Sequence, residues 1–361
     1  MMKSFGLIKK VFWGCFLFVV GAAVFAGNIE LVQGSFVLEL MEDSGTFSLA
    51  YQGSDGKKTE FFASHDEFSS TFFAAKIKNT IYKLGRDSSV KFSIYEENGS
   101  AGIKYEIGKD IEIFADFSFC PEFDGATKGA IKVEVSVHNL SVEAKTVSLK
   151  GVFDTCLGEN SGNHFATARM PFIDKEVGFR SMYNDKWIRS SNGKQALQFL
   201  FAGAGITVPQ NVSLANKDVI GGVQWFPQAK EGRSFNSVFS YNNSAVSVLW
   251  NPMTVSPMTK SSICFYISYS TAGVLPPDSA FLGDKPIHSS LNENDEVVYK
   301  DEYGVTYTVG ALSDSQLDPK YIEDLLNRIR WLEAEPENVD RNEILQLNAE
   351  LDAILEKIRR L

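Results

Sequence analysis

The 361-residue sequence predicts a mainly β protein: a large antiparallel two-sheet β-sandwich, followed by a small C-terminal helical hairpin or coiled-coil segment. Three observations carry that expectation. From Ile29 to about Tyr269 apolar and polar residues alternate, the pattern of strands with one buried face. Turn signals separate these runs and no long amphipathic helix interrupts them, which leaves no crossover helices for a parallel sheet. Beyond about residue 313 the apolar spacing changes to alternating threes and fours, the period of helices.

Taken in order, residues 1–26 have a basic start (Lys3, Lys9, Lys10), an apolar run from Val11, and the end Val24-Phe25-Ala26, which reads as a secretory signal peptide. The run is shorter than the ~20 residues that span a bilayer. The expected product is an exported, soluble chain beginning near Gly27, in the periplasm or cell envelope, with no membrane span after cleavage. Residues 27–273 form the expected sandwich. Its strand runs include Phe36–Leu40, Phe47–Tyr51, Val90–Tyr95, Ile103–Ile107, Leu197–Phe201, Ala245–Trp250 and Ile263–Tyr269. Between them, Ile111, Ile113, Ala115, Phe117 and Phe119 share one face, as do Ile131, Val133, Val135 and Val137, and again Val147, Leu149, Gly151 and Phe153. Asn98-Gly99 lies between two such runs and tolerates the positive φ of a tight hairpin.

Residues 274–312 read as a linker with a short hairpin around Asp301–Gly304, and residues 313–361 as a helical pair. Asp318-Pro319 supplies an N-cap followed by proline, and Asp340 with Glu343 forms a variant capping box. The first helix carries Ile322, Leu325, Ile329 and Leu332 on one seam. The second carries Ile344, Leu347, Leu351, Ile354, Ile358 and Leu361. These seams pack on each other or the sandwich, or they mediate self-association or capture of a protein partner.

Net charge is −10, and loss of the signal lysines leaves the chain more acidic still, so nucleic acid and anionic membrane surfaces are poor partners. Cys120, Cys156 and Cys264 are an odd number lying in strand-like sequence, the pattern of buried small hydrophobes. There is no CxxC, HExxH, G-x-S-x-G or glycine-rich phosphate loop. No metal site, cofactor or catalytic residue is therefore expected.

The stretch GVFDTCLGENSGNHF begins as a strand and turns polar at Asp154. From Lys132 to Phe165, including Asp154, Thr155, Gly158, Asn160 and Gly162, the sequence resembles exported bacterial sandwich domains of the galactose-mutarotase-like, or supersandwich, group. The resemblance implies the sandwich fold and export. Enzymes of that group use a histidine and a carboxylate to move a proton on a sugar ring, and Asp154, Glu159 and His164 are the residues nominated for such roles. The preferred reading of Asp154 is structural: it braces the turn by accepting backbone N–H bonds. A calcium loop would want the same oxygens, but EF-hand spacing is absent.

A sugar site could also draw on GFRSMYNDKWIRSSNGKQ, giving Asp154, Glu159, Asn160, His164, Arg180, Tyr183 and Trp187 as candidate ligand-binding residues. The leading expectation is a non-enzymatic periplasmic or envelope interaction protein that associates through its C-terminal helices. The alternative is a carbohydrate-binding or carbohydrate-active sandwich acting on envelope glycans.

Overall fold

The computed structural model describes residues 27–63, 70–222, 224–226 and 229–278, with short stretches at 290–291, 296–300, 306–311, 320–323, 325–327 and 354. The chain opens as a four-stranded meander of β1 (Ile29–Gln33), β2 (Phe36–Met41), β3 (Thr46–Gln52) and β4 (Lys58–Glu60). A hairpin of β5 (Phe72–Ile77) and β6 (Thr80–Lys83) follows. Next comes an uninterrupted run of β7 (Val90–Glu97), β8 (Ser100–Ile107), β9 (Ile111–Phe119) and β10 (Lys128–Asn139). Then β11 (Lys145–Asp154) returns to pair with β5.

The remaining sandwich strands are β12 (Val177–Phe179), β13 (Trp187–Ser191), β14 (Ala196–Leu200), β15 (Asn211–Asn216), β16 (Ser244–Leu249), β17 (Met253–Val255) and β18 (Lys260–Ser270). A one-turn helix, α1 (Lys217–Ile220), follows β15. The front sheet has the order β13-β14-β18-β10-β9-β8-β7. The back sheet has the order β12-β15-β16-β11-β5-β6, with β17 also on β11. Farther along, β19 (Ser290–Leu291), β20 (Glu296–Lys300) and β21 (Thr306–Ala311) form a small antiparallel sheet.

Alternation explains the front sheet directly. Ile111, Ile113, Ala115 and Phe117 of β9 lie opposite Val137, Val135, Val133 and Ile131 of β10, all essentially buried. The turn between β7 and β8 holds Asn98 at φ 52° and Gly99 at φ 77°, as the sequence predicts, and Glu97 pairs with Ser100 across it. Phe153 of the back sheet meets Phe199 and Phe265 of the front sheet at ring-centroid distances of 4.7 and 5.7 Å. Phe47 of β3 meets Phe117 at 4.6 Å, and Phe36 of β2 meets Tyr269 at 4.0 Å. The front sheet thus faces two partners, the back sheet and the N-terminal meander. The sequence predicts two sheets, whereas the meander forms a third because its strands pair among themselves rather than extending the edge at β6.

The back sheet is covered on both faces. Phe73 and Ala75 of β5 point into the main core, while Phe72 and Ala74 join Val152, Ala215, Ile220, Trp225, Ala245 and Leu249 in a second apolar cluster. Lys150 of β11 also lies on this covered side. It is 4% exposed and donates to the carbonyls of Ile220 (3.1 Å) and Gln224 (3.4 Å).

A clasp ties the first turn to the rest of the molecule. The Gln33 amide donates to the carbonyls of Cys120 and Phe123 and accepts from the Tyr269 hydroxyl at 2.9 Å. Gly34 and Gly125 both have positive φ, and a Cβ on either would strike the other loop's backbone.

Of the helical seam, Ile322, Leu325 and Ile354 fall in described helical residues, with Leu325 and Ile354 buried. Ile329, Leu332, Ile344, Leu347, Leu351, Ile358 and Leu361 lie outside the described residues, as do residues 1–26. No helix among the described residues is long and apolar enough to cross a membrane.

Candidate functional site

The polar stretch at the end of β11 sits at the rim of the sandwich. There the segment after β4 returns beside it: the Ala63 N–H donates to the Asp154 carbonyl at 2.8 Å, and Phe62 bridges Thr155. Asp154 is fully buried. Its Oδ2 accepts from the Ser70 hydroxyl and its N–H donates to Thr71 Oγ1 at 3.1 Å, so it fastens the approach to β5. Buried in this way, the Asp154 side chain presents no surface to a ligand.

His164 is also buried, its ring tilted against Phe235 at a centroid distance of 4.4 Å. Its Nε2 is 3.0 Å from Asn242 Oδ1 and its Nδ1 is 2.7 Å from Ser244 Oγ. The Asn242 amide N–H is committed to the Glu159 carbonyl, so Asn242 Oδ1 accepts, the imidazole proton sits on Nε2, and Nδ1 receives the Ser244 hydroxyl. Burial lowers the His164 pKa and keeps the ring neutral. Both nitrogens are occupied in pinning the loop to the start of β16. Gly158 permits the close pass, since a Cβ there would strike the His164 carbonyl.

Glu159 and Asn160 do face a ligand-sized space. They line a cleft of about 320 Å³ together with Glu60, Ser70, Cys156, Asn192, Lys217 and Asn243. Glu159 Oε1 accepts the Ser244 N–H at 3.0 Å. Burial outweighs that bond and pushes its carboxyl up to about 7, with the charge of Asp154 adding to the rise. Glu60 is likewise raised by burial. Cys156 feels Glu159, Asp154 and Glu60, and burial with these charges pushes its thiol up to about 12. It is therefore a protonated wall residue rather than a nucleophile.

Of the candidates in the later segment, Arg180 and Tyr183 are exposed and do not line this cleft. Trp187 is half-buried on β13 with the Arg189 guanidinium 4.7 Å over its ring, also away from the cleft. The seven candidates therefore separate. Two line the cleft, two buttress it from behind, and three lie elsewhere. Glu60, Lys217 and Asn243 were not legible as site residues, because they come from β4, α1 and the loop before β16, and only the fold brings them together.

A second polar constellation lies on the outer face of the front sheet. The Tyr95 hydroxyl donates to Asp116 Oδ1, and Asp116 is raised by burial. His138 packs its ring at a tilt against Phe114 at 4.6 Å, and its Nε2 is 3.3 Å from Ser136 Oγ. Gly102 makes room for the pair, since a Cβ would collide with the Tyr95 phenol and approach Asp116 Oδ1 to 2.7 Å. Its sequence signal was the outward set of the period-two pattern: Phe114 and Asp116 on β9, Ser136 and His138 on β10.

No group of three or more His, Cys, Asp or Glu side chains among the described residues is placed to hold a metal ion. No protein-family model and no curated protein matches the chain.

Solved structures of the galactose-mutarotase-like β-sandwich type do match over about two thirds of it. A galactose mutarotase-like protein from Lactobacillus casei is similar at 10% identity over 67% of this chain and 100% of its own, with a TM-score of 0.42. An alpha-N-acetylgalactosaminidase from Bifidobacterium bifidum in complex with GalNAc is similar at 10% identity over 73% of this chain and 40% of its own, TM-score 0.42. A heparan sulfate lyase mutant from Pedobacter heparinus is similar at 12% identity over 79% of this chain and 41% of its own, TM-score 0.38. These likenesses concern the sandwich architecture.

Proposed function

We propose that the rim cleft binds a glycan segment, and that the protein is an exported carbohydrate-binding sandwich acting at the cell envelope. The observation that supports this reading is the composition of the cleft wall. Glu60, Ser70, Glu159, Asn160, Asn192, Lys217 and Asn243 line one hollow. Its volume lies within the roughly 300–1,000 Å³ of small-ligand sites. Interleaved donors and acceptors match neighbouring sugar hydroxyls, each of which both gives and takes a hydrogen bond. A Glu159 carboxyl poised near neutrality can serve in either direction.

The test is titration calorimetry with soluble cell-wall oligosaccharides, preceded by a glycan array. Wild-type protein should bind, and Glu159→Gln should weaken binding by about tenfold, the loss expected for a hydrogen bond to a charged group. Absence of glycan binding by the wild-type protein overturns the reading.

A second reading rests on the heptad spacing of the C-terminal seam in the sequence, not on the burial of Leu325 and Ile354, which the chain itself covers. On this reading the C-terminal seam holds a protein partner or a second copy, and the sandwich is a rigid body. Deleting residues 313–361 should then lower the oligomeric mass or abolish partner capture while the sandwich stays folded. Unchanged mass and capture refute it.

A further inference from the structure

The loop entering β16 holds apolar side chains out in solvent on a locked base. Val238, Phe239 and Tyr241 are 95%, 90% and 85% exposed. Exposure this complete leaves no flanking wall, so these side chains protrude rather than line a groove. Scattered exposed hydrophobic residues are ordinary, but three within four positions form a patch that calls for a partner.

The base beneath them is rigid. Ser237 Oγ accepts the N–H groups of Phe239 and Ser240, each at 3.0 Å, and the Ser237 N–H donates to the Ser240 carbonyl at 2.8 Å. The hydroxyls of Ser237 and Ser240 both donate to Asp218 Oδ2. The Asn242 N–H donates to Asn236 Oδ1, the Asn243 N–H to the Phe235 carbonyl, and the Asn236 N–H to the Ser234 carbonyl.

Two further properties identify the occupant. The ten residues from Ser234 to Asn243 carry no charge. Six of the loop's N–H groups, those of residues 236, 237, 239, 240, 242 and 243, are satisfied within the loop itself. An apolar medium penalises backbone groups stripped of water; six N–H groups here are already paired, whereas those of Val238 and Tyr241 are not, which confines insertion to the hydrated headgroup level. Tyrosine at the side of such a tip suits the headgroup boundary.

We propose that the Val238–Tyr241 loop is a shallow membrane-insertion tip that docks the sandwich on a zwitterionic phospholipid surface. The net charge of −10 disfavours anionic lipid, so attachment rests on apolar insertion and should survive high salt. This proposal is independent of the glycan reading.

The experiment uses the full chain with phosphatidylcholine vesicles and two probes that separate the loop from other apolar segments. Phe239→Trp reports on the tip. Val142→Trp, at an 87% exposed position between β10 and β11, is the control. With brominated phosphatidylcholine, the added emission at 239 should shift blue and be quenched, while that at 142 should not. Phe239→Ser combined with Tyr241→Ser should weaken vesicle association roughly tenfold or more, as expected when two large apolar groups no longer leave water.

Unquenched emission at 239 overturns the proposal, as does equal quenching at both positions. A blue shift at 239 that grows with protein concentration in lipid-free buffer overturns it in favour of a second copy. A shift seen only with added oligosaccharide overturns it in favour of a glycan platform.

Discussion

Replacing Lys150 with Met should stabilise the protein at neutral pH, although it deletes two hydrogen bonds. The amine is 4% exposed on the covered face of the back sheet and points at two backbone carbonyls near the end of α1. Burial is the main cause, and the nearby Lys83 amine a lesser one, of a pKa lowered from the ordinary 10.5 to about 8. Each tenfold change in acid constant is 1.36 kcal/mol, so holding the ammonium in the fold at pH 7 costs about 3 kcal/mol.

The sign follows from proton counting. Between pH 8 and 10.5 the unfolded chain binds a proton that the folded chain does not, so this group's contribution to stability rises with pH across that window. Below pH 8 both states are protonated and the penalty is present in full. Methionine fills similar volume with no charge to desolvate, and it forgoes the bonds to Ile220 and Gln224. The net gain at pH 7 should be about 1–3 kcal/mol, since two carbonyl bonds return part of the penalty.

Urea unfolding of parent and variant at half-unit steps from pH 6 to 10.5 measures the difference, and titrations common to both cancel. The advantage of the variant should shrink steadily above pH 8. A variant less stable than the parent at pH 7, with a difference that stays flat up to pH 10.5, would refute the reasoning.

Gly102→Ala should destabilise by about 1–3 kcal/mol in the same assay, because its Cβ meets the Tyr95 phenol; a change below about 0.5 kcal/mol would mean that the ring moves aside freely. Glu159 is raised from 4.5 to about 7, so the folded state binds the extra proton between those values and its contribution to stability falls as pH climbs through them. Glu159→Gln should remove that fall, and a carboxyl ¹³C titration of the parent should show a midpoint near 7 rather than near 4.5. His164→Leu should cost about 2–4 kcal/mol, since it leaves the buried Ser244 hydroxyl and the half-buried Asn242 Oδ1 without their ring partners; thermal melting indistinguishable from the parent would contradict the staple.

How far the sequence was legible depended on burial. β9 and β10 have one wet face and one dry face, so their alternation marked both the strands and their inward residues. β5, Phe-Phe-Ala-Ala-Lys-Ile, lacks alternation because the back sheet is covered on both sides, and its run of apolar residues gave no face to assign. The polar character of the loop after β11 marked a special place, but polarity alone does not separate Glu159, which faces the cleft, from Asp154 and His164, which hold it up from inside. Glu60 and Lys217 carry no local mark at all, because their significance arises from elements, β4 and α1, that meet the loop after β11 only in the folded chain.

The Gln33 clasp has a consequence for the order of assembly. Translation delivers β1–β4 first, yet the hydroxyl that completes the contact at Gln33 belongs to Tyr269, 236 residues later. Phe36 likewise waits for the Tyr269 ring. Contacts such as Phe47 with Phe117 can form once β9 is made, but the part of the meander around Gln33 and Phe36 is held short of its last partner until β18 has emerged, and a long-range closure of this kind is slow. During that interval its apolar face and strand edges are open to other chains, so a nascent chain arrested before β18 is the species for which a holding chaperone would matter most.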